Sequence, residues 1–420
     1  MAGRTYEELD EMRSDTPEDM PSDCTGLADL LTRFTPVQDS VLRHLDIGDI
    51  IALSRTTKAF REYVRLVART QFNINEKLKV FVKSPNAFRS LQAKHNILIS
   101  GSFAFGFMLR IPLNFRLFGI PTTMLDRLLV ERGPHAEALR SFLENEGYRV
   151  KDSSIPNHPF MERDTVKGCQ TVYIRETEYT PLFVILNSVL TCDVNFITWN
   201  KAYSLFPYHT FILKQGHLLM EIKHWEHLPQ ELAKWMRVGI DIAPCSLPDA
   251  LLPHAKTDST STLLGNRLVG DKRSWVVSLN TDLVEPSPFP DLLIDYAGFE
   301  VTSSLKDEAE TLLDPLSPPF NHYTIEMTVV ESFALRHQYI FADKAYPEQH
   351  RFRDRTIVQL YALNVARRPS GFAQILAQTN RPNLRAIAGF VPPESWKYYD
   401  DEMLKFLEAR YPELSSQVED

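Results

Sequence analysis

Residues 35–64 read TPVQDSVLRHLDIGDIIALSRTTKAFREYV, and this run decides how the amino-terminal part of the chain folds. Pro36 suits the first turn of a helix, where a missing N–H costs nothing. Val41, Leu42 and Leu45 then fall on one helical face. Asp46 and Asp49 offer cap oxygens to a second helix, along which Ile50, Ile51 and Leu53 continue the apolar stripe. After Ser54-Arg55-Thr56-Thr57, the residues Phe60, Tyr63 and Val64 supply a third. Three helices this short cannot enclose a core alone, so some of these side chains must meet other surfaces.

Outward from this trio the chain changes character. Residues 1–26 carry eight Asp or Glu against two Arg, a composition that predicts a disordered acidic tail before the helical module at 27–70. Residues 90–243 mix short apolar runs with amphipathic helix, with a helix-rich piece toward 200–240. An exposed loop is expected at 244–272, a strand-rich extension ending in a helix at 273–411 (SWVVSL, FEVTSS, YTIEMTVV, HQYIFA, then DDEMLKFLEARY), and an acidic tail at 412–420. The fold class predicted is α+β, an N-terminal three-helix module followed by a mixed α/β core.

Composition bounds the chemistry. At 44% apolar and 24% charged the chain has enough to build a sizeable core. Its formal charge of −8 repels phosphate backbones, so no nucleic acid is expected as a main partner, and Arg351, Arg353 and Arg355 stand beside Glu348 and Asp354. The four cysteines are scattered with no Cys-x-x-Cys pair, which fits a reducing compartment, cytoplasmic or nuclear. The most apolar window, PLFVILNSVL, is half of the ~20 residues a membrane span needs, so no membrane association is expected.

The run at 35–64 resembles an F-box. The features that carry the likeness are Pro36, the pair Val41-Leu42, Leu45-Asp46, Asp49-Ile50, Leu53-Ser54 and Phe60-Arg61. Val37, Thr57 and Phe60 stand where an acidic residue, a cysteine and a tryptophan are usual. The resemblance implies docking on a Skp-type adaptor of cullin ubiquitin ligases, with Pro36, Val41, Leu42, Leu45, Ile50, Leu53 and Phe60 as partner-binding residues. The body would then present a protein client.

Residues 95–108, HNILISGSFAFGFM, run an apolar strand into Gly101-Ser102 and then a helix, a turn whose N–H groups can cradle phosphate. MLDRLLVERGPHAEALRSFLENEGYRV at 124–150 follows as strand, turn, helix and Gly-Tyr stop. This order resembles a nucleotidyltransferase core, in which a Gly-Ser turn precedes a strand bearing an Asp-x-Asp pair. The pair would fall on Met124 and Asp126, with Asp193 as the third carboxylate, so the first metal ligand is missing. No catalytic residue and no cofactor are therefore expected. The alternative is a divergent transferase using Ser102, Asp126 and Asp193, with Gly101 and Ser102 binding a nucleoside triphosphate and Mg²⁺. A further alternative is a non-catalytic scaffold. VNFITWNKAYSLFP (194–207), SWVVSL (274–279) and IVQLYALNVARRPS (357–370) also resemble segments of a set of filamentous-fungal proteins with this F-box-like and transferase-like order.

His217, Glu221, His224 and His227 repeat at helical spacing and would suit zinc. A solvated helix face, backed by Leu218, Leu219, Ile222 and Trp225, is the preferred reading. No Gly-x-Ser-x-Gly elbow and no Gly-x-x-x-x-Gly-Lys loop occurs.

Overall fold

The computed structural model describes residues 27–111, 124–152, 160–165, 168–219, 228–243, 263–289, 291–304, 322–342, 347–368 and 391–415. The expected tail at 1–26 lies outside them, as do 244–262 of the expected loop and 416–420 of the acidic end. The chain divides into two compact units at Val67/Ala68.

The first unit is helical. It comprises α1 (Leu27–Arg33), α2 (Thr35–His44), α3 (Ile47–Thr56), a 3-10 turn at Lys58–Phe60 and the start of α4 (Glu62–Gln71). Pro36 lies in the first turn of α2. Asp46, not Asp49, caps α3: its Oδ1 accepts the Asp49 N–H at 2.8 Å, while Asp49 lies within the first turn. Leu31, Leu42, Ile50, Phe60, Tyr63 and Val67 are buried, with Phe60 stacked on Tyr63 at 4.8 Å.

The second unit is α+β. Asn73 caps α5 (Ile74–Leu78), and Ser84 caps α6 (Pro85–His95), which buries Phe88, Arg89 and Gln92. β1 (Leu98–Ser100) runs through Gly101 into α7 (Ser102–Met108). β2 (Met124–Glu131) is followed by α8 (Pro134–Asn145), whose Ala136, Leu139 and Leu143 are buried as the spacing predicts. Gly147, at φ 94°, then turns the chain into β3 (Arg149–Asp152), β4 (Phe160–Thr165) and β5 (Gly168–Thr177). After α9 (Pro181–Leu186) come β6 (Asn195–Ile197), β7 (Lys201–Ser204), β8 (Gln215–His217), α10 (Leu228–Arg237) and β9 (Asp241–Ala243). The remainder is β10 (Gly265–Leu268), β11 (Trp275–Ser278), α11 (Leu292–Asp295), β12 (Gly298–Ser304), β13 (His322–Glu326), β14 (Thr328–Val330), β15 (Tyr339–Phe341), α12 (Pro347–Ala362), α13 (Asp400–Arg410) and α14 (Pro412–Ser415).

The main sheet has eight strands in the order β11-β7-β6-β1-β2-β5-β4-β3. Every neighbouring pair in it is antiparallel except β2 with β5. A second sheet, β10-β12-β13, shares with the first a core that includes Leu98, Leu129, Phe196, Tyr203, Phe299 and Tyr323. Phe352, Met403 and Leu407 join Tyr296 and Tyr339 in a further apolar cluster.

Three expectations need correction. β10 falls inside the stretch read as loop, held by its antiparallel register on β12 (Gly265↔Val301 to Leu268↔Gly298). Of the helix-rich piece expected at 200–240, Leu228–Arg237 is helical, but Lys201–Ser204 and Gln215–His217 are strands with a π-helical turn at Tyr208–Ile212 between them. His217 accordingly ends a strand and not a helix, while Glu221, His224 and His227 lie outside the described residues.

Candidate functional site

Two regions drew functional expectations: the helical trio and the Gly101-Ser102 turn. In the trio, Pro36 is exposed, Val41, Leu45 and Leu53 are half-buried, and Leu42, Ile50 and Phe60 are buried. The last three can shape a contact surface but do not themselves form it. Val37, at 37% exposure, departs from the F-box pattern and is not among the expected partner-binding residues, yet Val37, Val41 and Leu45 stand four residues apart along α2 and its end. That spacing puts them in one line along the helix.

At the turn, the structure joins Gly101, Ser102 and Asp126 closely. Gly101 adopts φ 77°, ψ −150°, a conformation open to glycine alone. The N–H of Ser102 donates to Asp126 Oδ2 at 2.8 Å, and that of Phe103 to Asp126 Oδ1 at 3.3 Å. A Cβ on Gly101 would meet Asp126 Oδ2 at 2.6 Å, so the carboxylate fills the space directly over the turn. The β2–β5 register slips between Leu125 and Leu128, so Asp126 and Arg127 fall at an irregularity in the ladder.

Asp193 approaches the same end of β1 from the other flank. It sits in a 3-10 turn, Thr191–Asp193, one residue before β6, and β6 pairs with β1 through Ser100↔Phe196. It is buried, and burial pushes its carboxyl above the usual carboxylate range, outweighing the pull of Lys234 and Arg127. Those two cations, with Trp235 of the same helix, were not foreseen. Lys234 and Trp235 come from α10, some forty residues along the chain, and nothing local in the sequence ties them to Asp193.

The residues present do not fit a metal-held triphosphate. Position 124 is methionine, and Asp126 and the backbone donors that would cradle phosphate are engaged with each other. Among the described residues no three His, Cys, Asp or Glu side chains converge at metal-binding distances.

His217 has turned inward. Its Nε2 lies 3.1 Å from His209 Nδ1, and burial together with His209 lowers its pKa to about 4. At the opposite end of β1 a cavity of about 120 Å³ is lined by residues including Glu131, His135, Asp291, Arg336 and His337. His135 Nδ1 lies 3.0 Å from His95 Nδ1, which places at least one of the two nitrogens in its unprotonated form. None of the sequence expectations pointed to this cavity. Among the described residues, no helix is long and apolar enough to cross a membrane.

Compared with known protein families, with characterised proteins and with solved structures, the chain gives no match.

Proposed function

We propose that the chain is a non-catalytic adaptor. Its F-box-like helices dock on a Skp-type subunit of a cullin ubiquitin ligase, and its α+β body carries a protein client, in the cytoplasm or nucleus. The observation that carries this reading is the line Val37, Val41 and Leu45, half-buried or exposed, beside a buried Leu42. Ile47 and Leu53 of the neighbouring α3 are likewise half-buried. Apolar area of this kind gains most when a partner removes it from water.

Leu42 is only 1% exposed, so Leu42→Asp would disturb folding before it reported on docking. Val37→Asp with Leu45→Asp is the sharper pair. In a co-purification with a Skp-type adaptor, the wild-type chain should retain it and the double variant should lose it. Retention by a folded double variant overturns the proposal.

A divergent Mg²⁺-dependent nucleotidyltransferase on Ser102, Asp126 and Asp193 has less behind it, because Asp126 closes its own turn. Calorimetric titration with ATP and Mg²⁺ should show no saturable heat. Saturable binding that disappears in Asp126→Ala would reverse the preference between the two readings.

A further inference from the structure

The cavity at the end of β1 remote from Gly101 is walled by the tail of α6, the β6–β7 turn, the approach to α11 and the segment entering β15. Its volume of about 120 Å³ lies a little below the ~150 Å³ that takes up benzene, so an occupant has about four to six heavy atoms.

Hydrogen bonds hold the walls in place. The Trp199 carbonyl accepts Nε and Nη2 of buried Arg89 at 2.9 and 2.6 Å, and Asn200 Oδ1 accepts the Thr198 hydroxyl at 3.0 Å. Ser287 Oγ donates to the Ala93 carbonyl at 2.7 Å, which ties the approach to α11 onto α6.

Two lining residues keep an acceptor in reserve. Gln92 is 1% exposed, and its Nε2 donates to the Ile97 carbonyl at 3.2 Å, yet its Oε1 is buried with no partner. A buried amide oxygen in that position is costly unless something in the cavity donates to it. Asp291 Oδ2 accepts Asn200 Nδ2 at 2.5 Å, and the carboxylate does not cap α11, so Oδ1 is left for an outside donor. The charge of the lining points the same way. Glu131 and Asp291 stand against Arg336, whose guanidinium lies 4.6 Å from the Tyr398 ring. Trp199 and Phe289 also line the cavity, and aromatic surface favours a cation over an anion.

We infer that this cavity binds a small amidinium or guanidinium cation, which donates to Gln92 Oε1 and to the Asp291 carboxylate. A planar cation with N–H groups pointing several ways serves two acceptors on different walls, which a single point charge does less well. The site is independent of the docking role proposed above.

The test is calorimetry on the full chain at constant ionic strength, with three probes of equal size: methylguanidinium, methylurea and tetramethylammonium. Methylurea has the donors without the charge, and tetramethylammonium the charge without the donors. Methylguanidinium should saturate with a dissociation constant near or below ~1 mM, at least about tenfold tighter than either of the others. Asp291→Asn keeps the shape of the side chain and should weaken methylguanidinium by at least ~10-fold. Gln92→Met, similar in volume but without the acceptor, should weaken it too. Glu394→Gln, an exposed site away from the cavity, should bind as the wild type does. The probe series needs only the wild type, so it decides the matter even where a variant is unstable. Three results overturn the inference: no saturation by ~10 mM methylguanidinium, equal binding in Asp291→Asn or Gln92→Met, or equal weakening in Glu394→Gln. Equal affinity for methylurea overturns the part assigned to charge, and equal affinity for tetramethylammonium the part assigned to the donors.

Discussion

The helical trio and the Gly101 turn both stand out in the sequence, and the fold treats them in opposite ways. Along α2, Val37, Val41 and Leu45 retain solvent exposure beside buried Leu42. At the turn, the backbone donors of Ser102 and Phe103 are taken by Asp126, from a strand more than twenty residues away. One motif is left open and the other is closed by its own chain. A motif offers function only to the extent that its side chains stay accessible, and accessibility is set by tertiary structure.

The widest expected effect lies on the open side. Replacing Val37 and Leu45 by aspartate should lower adaptor affinity at least ~100-fold, because each large apolar side chain buried in an interface contributes ~1.5–3 kcal/mol. Its far-ultraviolet circular dichroism should match wild type, since neither side chain is buried.

The closed side should respond in stability and not in binding. Gly101→Ala combines a positive φ with a Cβ 2.6 Å from Asp126 Oδ2, so denaturant unfolding should show a loss of about 2–4 kcal/mol. If the loss is below ~0.5 kcal/mol, the turn is not closed as described.

His217 gives a pH-dependent version of the same contrast. Its folded pKa of about 4 lies below the ordinary histidine value of 6.5, so the unfolded chain binds the proton more readily. Its contribution is complete above pH 6.5 and is lost as pH falls toward 4, by about 2–3 kcal/mol. Melting curves at pH 7.5 and 4.5 should therefore diverge less in His217→Gln than in wild type. An identical divergence would remove His217 as the cause.

The smallest effect is expected for Asp126→Ala, a loss of about 1–2 kcal/mol from the uncapped turn. Asp126→Asn, which keeps one acceptor, should recover part of it. Thermal denaturation of the two variants side by side checks both.

How much was legible follows the range of the interactions. α2, α3, the β1–Gly101–α7 turn, α8 and α13 rest on caps, proline starts and apolar spacing within a dozen residues, and the sequence shows all of these. β10 was hidden because Gly265–Leu268 becomes strand only by pairing with Phe299 and its neighbours on β12. α12 was missed as well. Its Arg351 and Arg355 reach Glu402 on α13, whereas the sequence sets them beside Glu348 and Asp354. The Asp193 neighbourhood is similar, with Arg127 and Lys234 arriving from separate elements.

The most direct test of the central claim is a calorimetric titration of the full chain with a purified Skp-type adaptor, run on wild type and on Val37→Asp with Leu45→Asp. The account predicts one-to-one binding with a dissociation constant near or below about 1 μM in the wild type and no measurable heat in the variant. Absence of binding by a folded wild-type chain, or equal affinity in the variant, would contradict it.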